Sequence, residues 1–412
     1  MINRLQIKGL FGRFDYDLDF DRPVTILTGP NGFGKSTVLR MIEALGSGNP
    51  ESFFQIPYTL VVAEFTEGEL IEISKDFSSV SFNDLNIPFH EWRRKKDISK
   101  NKWQDHSRDI NVKMYPLSPD RCKELNDIFG ENIVELYNCF YRIKEHFGLV
   151  KRISEQRMVE IVETAPFDLQ VIDSIVKYPT KMKQGIGNVS NTFSKKSSEI
   201  DSGYLQRLFN SDEITEEQYH VFLNQVNEKF DKLEGYNLMT DRQETPAFQP
   251  KHAAALKVYF DTFFEKYAVY DAFLEKLDLF DGIVNNRLMF KKLEISREKG
   301  FEIIDETTGK PLALEQLSSG EKQVIVMYYD LIFNDNENLL LLIDEPEISM
   351  HISWQSKFME DLIRIAEHGN FRAIVATHSP DIINGLWDLQ IDLGEQYQGN
   401  LYGEDEGESH GD

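Results

Sequence analysis

The sequence predicts an α/β fold: a mixed central sheet with an antiparallel β layer beside it and a helical insertion lobe. Three observations carry this prediction. A short apolar segment, Val24 to Leu27, runs into the glycine-rich stretch Gly29 to Thr37, and helical spacing follows at Val38, Leu39, Ile42 and Leu45. An apolar run, Leu339 to Ile343, ends on the carboxylates Asp344 and Glu345. Between them, the segment from about 200 to 288 is almost all helix-like, with Phe260, Phe263, Phe264, Tyr267 and Phe273 spaced as helix faces.

In chain order, Leu5 to Ile7, Tyr16 to Phe20 and Val24 to Leu27 read as strands, and Gly46 to Asn49 stop the helix that follows the glycine-rich loop. Thr59 to Glu64 and Leu70 to Ser74, joined across Gly68, read as a hairpin of the antiparallel layer. Helical spacing returns from Asn132 to His146, and the polar, lysine-rich, glycine-containing stretch Lys181 to Lys196 predicts a loop or boundary. Asp241 to Pro250, with two prolines, interrupts the later helical segment. Two antiparallel helices of ~40 residues would reach only about 60 Å, so a short helical subdomain is expected rather than a long coiled coil. Met289 to Leu293 and Phe301 to Ile304 read as strands. The expected organisation is a discontinuous head, 1–163 and 286–412, around an insertion at 164–285. The acidic end, 391–412, has no lysine or arginine and predicts a flexible, solvated tail, though such a tail also suits a partner's basic groove.

Composition excludes several classes. With 41% apolar and 28% charged residues among 412, the chain has the make-up of a globular protein with a sizeable core. Cys122 and Cys139 have no metal-ligand spacing and read as reduced thiols. No apolar run approaches the ~18 residues of a spanning helix, and no leader pattern opens the chain, so a cytoplasmic location without membrane is expected. A net charge of -24 opposes nucleic-acid binding over the whole surface. One local basic stretch, Arg93, Arg94, Lys95, Lys96, Lys100 and Lys102 beside Trp92 and Trp103, reads first as a solvated loop; a groove that tracks a phosphate backbone such as DNA is the alternative.

The chemistry lies in ordered motifs. Gly29, Asn31, Gly32, Gly34, Lys35, Ser36 and Thr37 belong to a G-x-x-x-x-G-K-[ST] loop between strand and helix, the P-loop NTPase arrangement. Glycines let backbone N–H groups wrap phosphate oxygens, Lys35 reaches the β and γ phosphates, and Ser36 ligates magnesium. A buried parallel strand ending in Asp344 and Glu345 places a magnesium-holding carboxylate and a general base in the crevice where α/β folds take ligands. Ala373 to Pro380 is a second apolar strand, ending at His378.

Leu317-Ser318-Ser319-Gly320-Glu321-Lys322-Gln323, ahead of an apolar helix, resembles the ABC signature motif in its RecF-like, SMC-like and OLD-like form. The resemblance covers roughly residues 1 to 46 and 289 to 385, with a looser patch near 150 to 160. It implies an ABC-type ATPase that binds ATP and Mg2+ at composite sites of a head-to-head dimer or higher oligomer. Ser318, Gly320 and Glu321 would then complete the site of the opposite protomer, and His378 would sense the γ phosphate. Arg152 to Met158 resembles the Q-loop segment, so Gln156 would contact magnesium and the attacking water. Ile348 to His351 takes the D-loop position, where Ile352 replaces a frequent proline.

Among relatives, the motif set looks like stand-alone ATPases of bacterial anti-phage systems such as Septu, PARIS and some retron-linked operons. That implies a sensor or regulatory subunit working with a separate effector, such as an HNH or TOPRIM nuclease, since only a short stretch follows Pro380. A RecF-like DNA-binding repair ATPase is the alternative, and an ATP-binding transporter subunit the third.

Overall fold

The computed structural model describes residues 1–49, 51–66, 68, 70–74, 80–82, 140, 144, 149–153, 159–165, 168–239, 242, 244–333, 338–348 and 350–397. The chain divides into two compact units, Met1–Glu155 with Asp335–Asp412, and Gln156–Asn334. The second is wider than an insertion at 164–285, because it also takes the strands after residue 290 and the helix that follows the signature. Among the described residues, no helix is long and apolar enough to cross a membrane.

Among the described residues, the first unit holds two five-stranded sheets. β1 (Ile2–Leu10), β2 (Phe14–Asp19), β4 (Leu60–Phe65), β5 (Leu70–Ser74) and β6 (Val80–Phe82) form an antiparallel layer in the order β2-β1-β4-β5-β6. β3 (Val24–Thr28), β7 (Val150–Ile153), β13 (Leu340–Asp344), β14 (Arg372–Ala376) and β15 (Gln390–Asp392) form the second, in the order β15-β3-β14-β13-β7. Every pairing in this second sheet is parallel. The α/β fold with an antiparallel layer beside the central sheet is thus as expected, and the central sheet pairs in parallel through its described strands. The reason is burial: β3 is buried at all five positions, and Leu340 to Ile343 are buried too, as continuous apolar strands covered on both faces require. In the antiparallel strand β2, buried and exposed residues alternate strictly.

Helix Lys35–Ser47 joins the layers, its Val38, Leu39, Ile42 and Leu45 sharing one core with Leu5, Ile7 and Val61 of the antiparallel layer and Leu342 and Ile374 of the parallel sheet. The flexible tail expected from Ile391 requires correction. β15 pairs with β3, Leu393 is fully buried, and Tyr397 packs 5.3 Å from Phe14 and 5.7 Å from Phe33 between ring centroids. Three apolar residues among the acids are enough to seat this segment on the sheet. The rest of the tail, 398–412, lies outside the described residues.

In the second unit, the loop expected over Lys181 to Lys196 is instead the middle of a 25-residue helix, Tyr178–Ser202. Tyr178, Met182 and Ile186 recur at helical spacing and are buried, while Ser190, Thr192 and Ser194 donate to carbonyls one turn back. The helix runs so close to β11 (Gly300–Asp305) that Gly300, at φ +77°, leaves no room for a Cβ against the Pro179 carbonyl. Helix Glu216–Gly235 starts from a capping box at Thr215, and its Tyr219 and Phe230 pack on Phe260 and Phe263 of helix Ala253–Tyr267. β10 (Lys291–Ser296), β11 and β12 (Lys310–Leu312) form an antiparallel meander, and β8 (Val159–Ala165) pairs with β9 (Asp168–Asp173).

Candidate functional site

Parallel register gathers the candidate residues at one sheet edge. Asp344 stands opposite Ala376, Ala376 opposite Leu27, and Asp392 opposite Thr28, so the phosphate loop, the acidic pair, the His378 turn and Asp392 all follow the carboxyl ends of neighbouring strands. This is the crevice that the strand order of an open α/β sheet provides for ligands.

The loop after β3 turns through left-handed backbone at Gly29, Gly32 and Gly34, at φ +139°, +87° and +89°. Gly34 also needs its missing side chain, because a Cβ there would stand 3.1 Å from Leu10 Cδ2 and 3.2 Å from Phe11 Cε2. The Tyr16 hydroxyl donates to the Phe33 carbonyl at 2.7 Å and ties the loop to β2. Asn31 and Gly32 at its tip are exposed. Lys35, only 6% exposed, donates to the carbonyls of Gly29 at 2.7 Å and Pro30 at 3.5 Å. Burial lowers its pKa, against an opposite pull from Glu345, Glu347, Asp344 and Asp392. A buried ammonium resting on loop carbonyls and surrounded by carboxylates suits a site that takes a phosphate.

Ser36 donates from Oγ to Asp344 Oδ1 at 3.0 Å, so the two residues predicted to hold magnesium meet across the sheet edge. The other oxygen, Asp344 Oδ2, accepts from Arg152 Nη2 at 2.6 Å, and Arg152 Nη1 also donates to Glu43 Oε2 at 3.3 Å. Thr37 is buried and accepts from Arg40 at 3.1 Å. Among the described residues, no group of three His, Cys, Asp or Glu forms a dedicated cation cage. One carboxylate with one hydroxyl still fits magnesium, which completes its shell from water and substrate phosphate.

Glu345 adopts φ +47°, a left-handed conformation rare for a side-chain-bearing residue, while its N–H donates to the Ala376 carbonyl at 2.9 Å. Strain of this kind costs about 1–3 kcal/mol and concentrates where geometry serves chemistry. His378 Nδ1 lies 3.4 Å from Glu345 Oε1 and 3.6 Å from Glu347 Oε1. Glu347 Oε1 accepts from the Thr377 hydroxyl at 2.8 Å and the His378 N–H at 3.2 Å.

Helix Ser319–Ile332 belongs to the second unit. Ser318 and Glu321 close a capping box: Ser318 Oγ accepts from Glu321 N–H at 3.3 Å, and Glu321 Oε2 accepts from Ser318 N–H at 2.9 Å. Lys291 donates to both Glu321 oxygens, at 2.7 and 2.9 Å. Burial pushes the Glu321 carboxyl up, but the bonds from Lys291 and Ser318 prevail and hold it below the ordinary range. Gly320 sits in the first turn, beside exposed Ser318 and Ser319.

Gln156 and the basic patch from Arg93 to Lys102 lie outside the described residues. His351, at the D-loop position, caps helix Ile352–Gly369, its Nδ1 accepting from Ser353 N–H at 3.3 Å. The local sequence assigns no role of their own to Arg152, Glu347 and Lys291. Glu347 stands in the Asp-Glu-Pro-Glu run and was the most accessible to inference; Arg152 and Lys291 sit mid-strand and at a strand start, where nothing local announces a distant carboxylate partner.

A family model described as AAA ATPase domain matches residues 1–383. UvrABC system protein A of Aquifex aeolicus (strain VF5) is 30% identical over 119 residues, 29% of this chain, and the chain spans only 12% of that relative's length. Among solved structures, the Smc head domain of Pyrococcus furiosus, with an extended coiled coil and bound to the C-terminal domain of ScpA, aligns with a TM-score of 0.38 at 13% identity, over 93% of this chain and 90% of that one. The SMC head domain from Thermotoga maritima aligns with a TM-score of 0.37 at 12% identity, again over 93% and 90%. With the family match running from residue 1 to 383 of 412, the chain belongs to the AAA ATPase domain family of ATP-binding P-loop proteins.

Proposed function

We propose that the chain hydrolyses ATP at the carboxyl edge of its parallel sheet, within a head-to-head dimer whose two sites each combine a phosphate loop from one protomer with a signature from the other. The observation that carries the reading is the convergence of Lys35, Ser36, Asp344, Glu345 and His378 on one edge through strand register. In this reading Gly29, Asn31, Gly32, Gly34 and Thr37 shape the loop whose N–H groups face the phosphates, and Lys35 moves its ammonium from the loop carbonyls to phosphate oxygens. Ser36 and Asp344 would hold magnesium, and the Q-loop resemblance assigns Gln156 to the same ion; bound there, the ion would supply charge neutralisation on the phosphates. Glu345 takes the proton from the attacking water, and His378 orients that carboxylate. Ser318, Gly320 and Glu321 present a helix N-terminus to the partner's nucleotide.

Resemblance of the motif set supports a regulatory role in anti-phage defence, with a separate nuclease effector executing the response. Lys35→Ala and Glu345→Gln should each abolish turnover, the second while ATP still binds. A pull-down from the native host, with and without ATP, tests the biological setting; recovery of no nuclease partner in either condition would contradict it.

A further inference from the structure

We infer that Glu347 is a positioning residue for hydrolysis, clamping the Thr377–His378 turn so that the His378 ring stays against Glu345. This rests on the ATPase reading above. The Glu347 side chain is only 9% exposed, although it sits in the turn after β13, where acids ordinarily face water. One of its oxygens does two things at once: Oε1 accepts from the Thr377 hydroxyl at 2.8 Å and from the His378 backbone N–H at 3.2 Å. Thr377 is itself fully buried, and its hydroxyl accepts from Ser379 N–H at 3.0 Å, so the turn is fixed on both sides of the histidine. Ser379 in turn donates from Oγ to Gln355 Oε1 at 2.9 Å, and Gln355 Nε2 returns to the Met350 carbonyl at 3.2 Å.

A longer contact, from Gln355 Nε2 to the Glu347 carbonyl at 3.5 Å, closes these bonds into a circuit. The circuit starts at the residue two places after the proposed base, crosses to the neighbouring strand, and comes back to the D-loop position. His378 Nδ1 lies 3.4 Å from Glu345 Oε1 and 3.6 Å from Glu347 Oε1, so a slip of the turn carries the ring away from the base. Glu347 Oε2 is buried and has no hydrogen-bond partner among the described residues. A buried carboxylate oxygen left this way is costly, and the arrangement persists because the other oxygen is the shared acceptor of the clamp.

The test is steady-state ATPase kinetics on the full chain, with thermal melting as a control for folding. Glu347→Leu and Thr377→Val should each lower kcat about 30- to 100-fold, the penalty of misplacing a catalytic contact by about an ångström, with KM for ATP within about twofold of wild type. Thr377→Ser keeps the donor, and Glu347→Gln keeps an acceptor oxygen, so both should retain kcat within about threefold. The double variant Glu347→Leu/Thr377→Val should be no slower than Glu347→Leu alone, since both sever one contact. Additive losses in the double variant, loss of kcat in Glu347→Gln equal to that in Glu347→Leu, or a rise in KM that accounts for the whole effect would each overturn the inference. Should Glu347→Leu fail to fold, the Thr377 pair carries the test. Glu345→Gln run alongside separates the two readings: if it leaves turnover intact, the ATPase reading itself fails; if it abolishes turnover while Thr377→Val does not, only the clamp fails.

Discussion

At the carboxyl edge of the parallel sheet, burial and backbone strain fall on charged groups, whereas the helix start at Ser318 closes its own hydrogen bonds. Lys35 rests a buried charge on two loop carbonyls, Glu345 is held at φ +47°, and Glu347 keeps one buried oxygen without a partner among the described residues. By contrast, Ser318 and Glu321 satisfy each other reciprocally, and Lys291 neutralises the carboxylate. In the proposed reading, a phosphate and its cation would offset the unfavourable free energy held in the first region. The second closes its hydrogen bonds within itself, which in the proposed reading would let it present its helix N-terminus without rearrangement. In that reading polar satisfaction differs with role: the edge assigned to receive the ligand holds strain and a buried oxygen orphaned among the described residues, and the edge assigned to cap it is complete.

The widest separation between the two regions should appear with Lys35→Ala, which removes the ammonium from the loop. ATP affinity measured by calorimetry should fall about 100-fold or more. The melting temperature without ATP should stay unchanged or rise, because a desolvated charge has gone; a large fall would show that Lys35 is structural. Glu345→Gly should likewise stabilise the ligand-free chain, by about 1 kcal/mol in urea denaturation, since glycine adopts positive φ freely. Loss of stability there would remove strain from the comparison.

At the complete edge the signs reverse. Ser318→Ala should cost about 1 kcal/mol and Ser318→Gly only a few tenths, read from the same denaturation curves. The smallest effect is a pH dependence. Glu321 is held below its unfolded value, so its contribution is fully present above the ordinary carboxylate range and is lost as pH falls through the depressed folded value. The difference in stability between wild type and Glu321→Gln should therefore shrink from pH 7 toward pH 3. A difference that grows on acidification would contradict the direction of the shift.

Much of the nucleotide edge was legible in the sequence because its elements are local and regular. A buried parallel strand needs a continuous apolar run, and each of β3, β13 and β14 ends on residues with few other uses: a glycine loop, an acid pair and a Thr-His-Ser turn. What could not be read depends on distant partners. Arg152 finds Asp344 only after two strands pair in parallel, and Lys291 finds Glu321 only once a meander and a helix are packed. Composition misled in two places. The serines, lysines and glycines of 181–196 are the more solvated part of a helix whose buried residues are Tyr178, Met182, Ile186 and Ile200, and acidic neighbours concealed Ile391, Leu393 and Tyr397 as sheet and core residues.

The central claim is that Glu345 activates water while the rest of the edge binds ATP. Purified Glu345→Gln, assayed for magnesium-dependent ATP binding and for phosphate release on the same sample, tests it most directly. The account predicts ATP affinity within a few-fold of wild type, phosphate release lowered about 100-fold or more, and a closed dimer that persists while ATP is present. Normal phosphate release from this variant would contradict it.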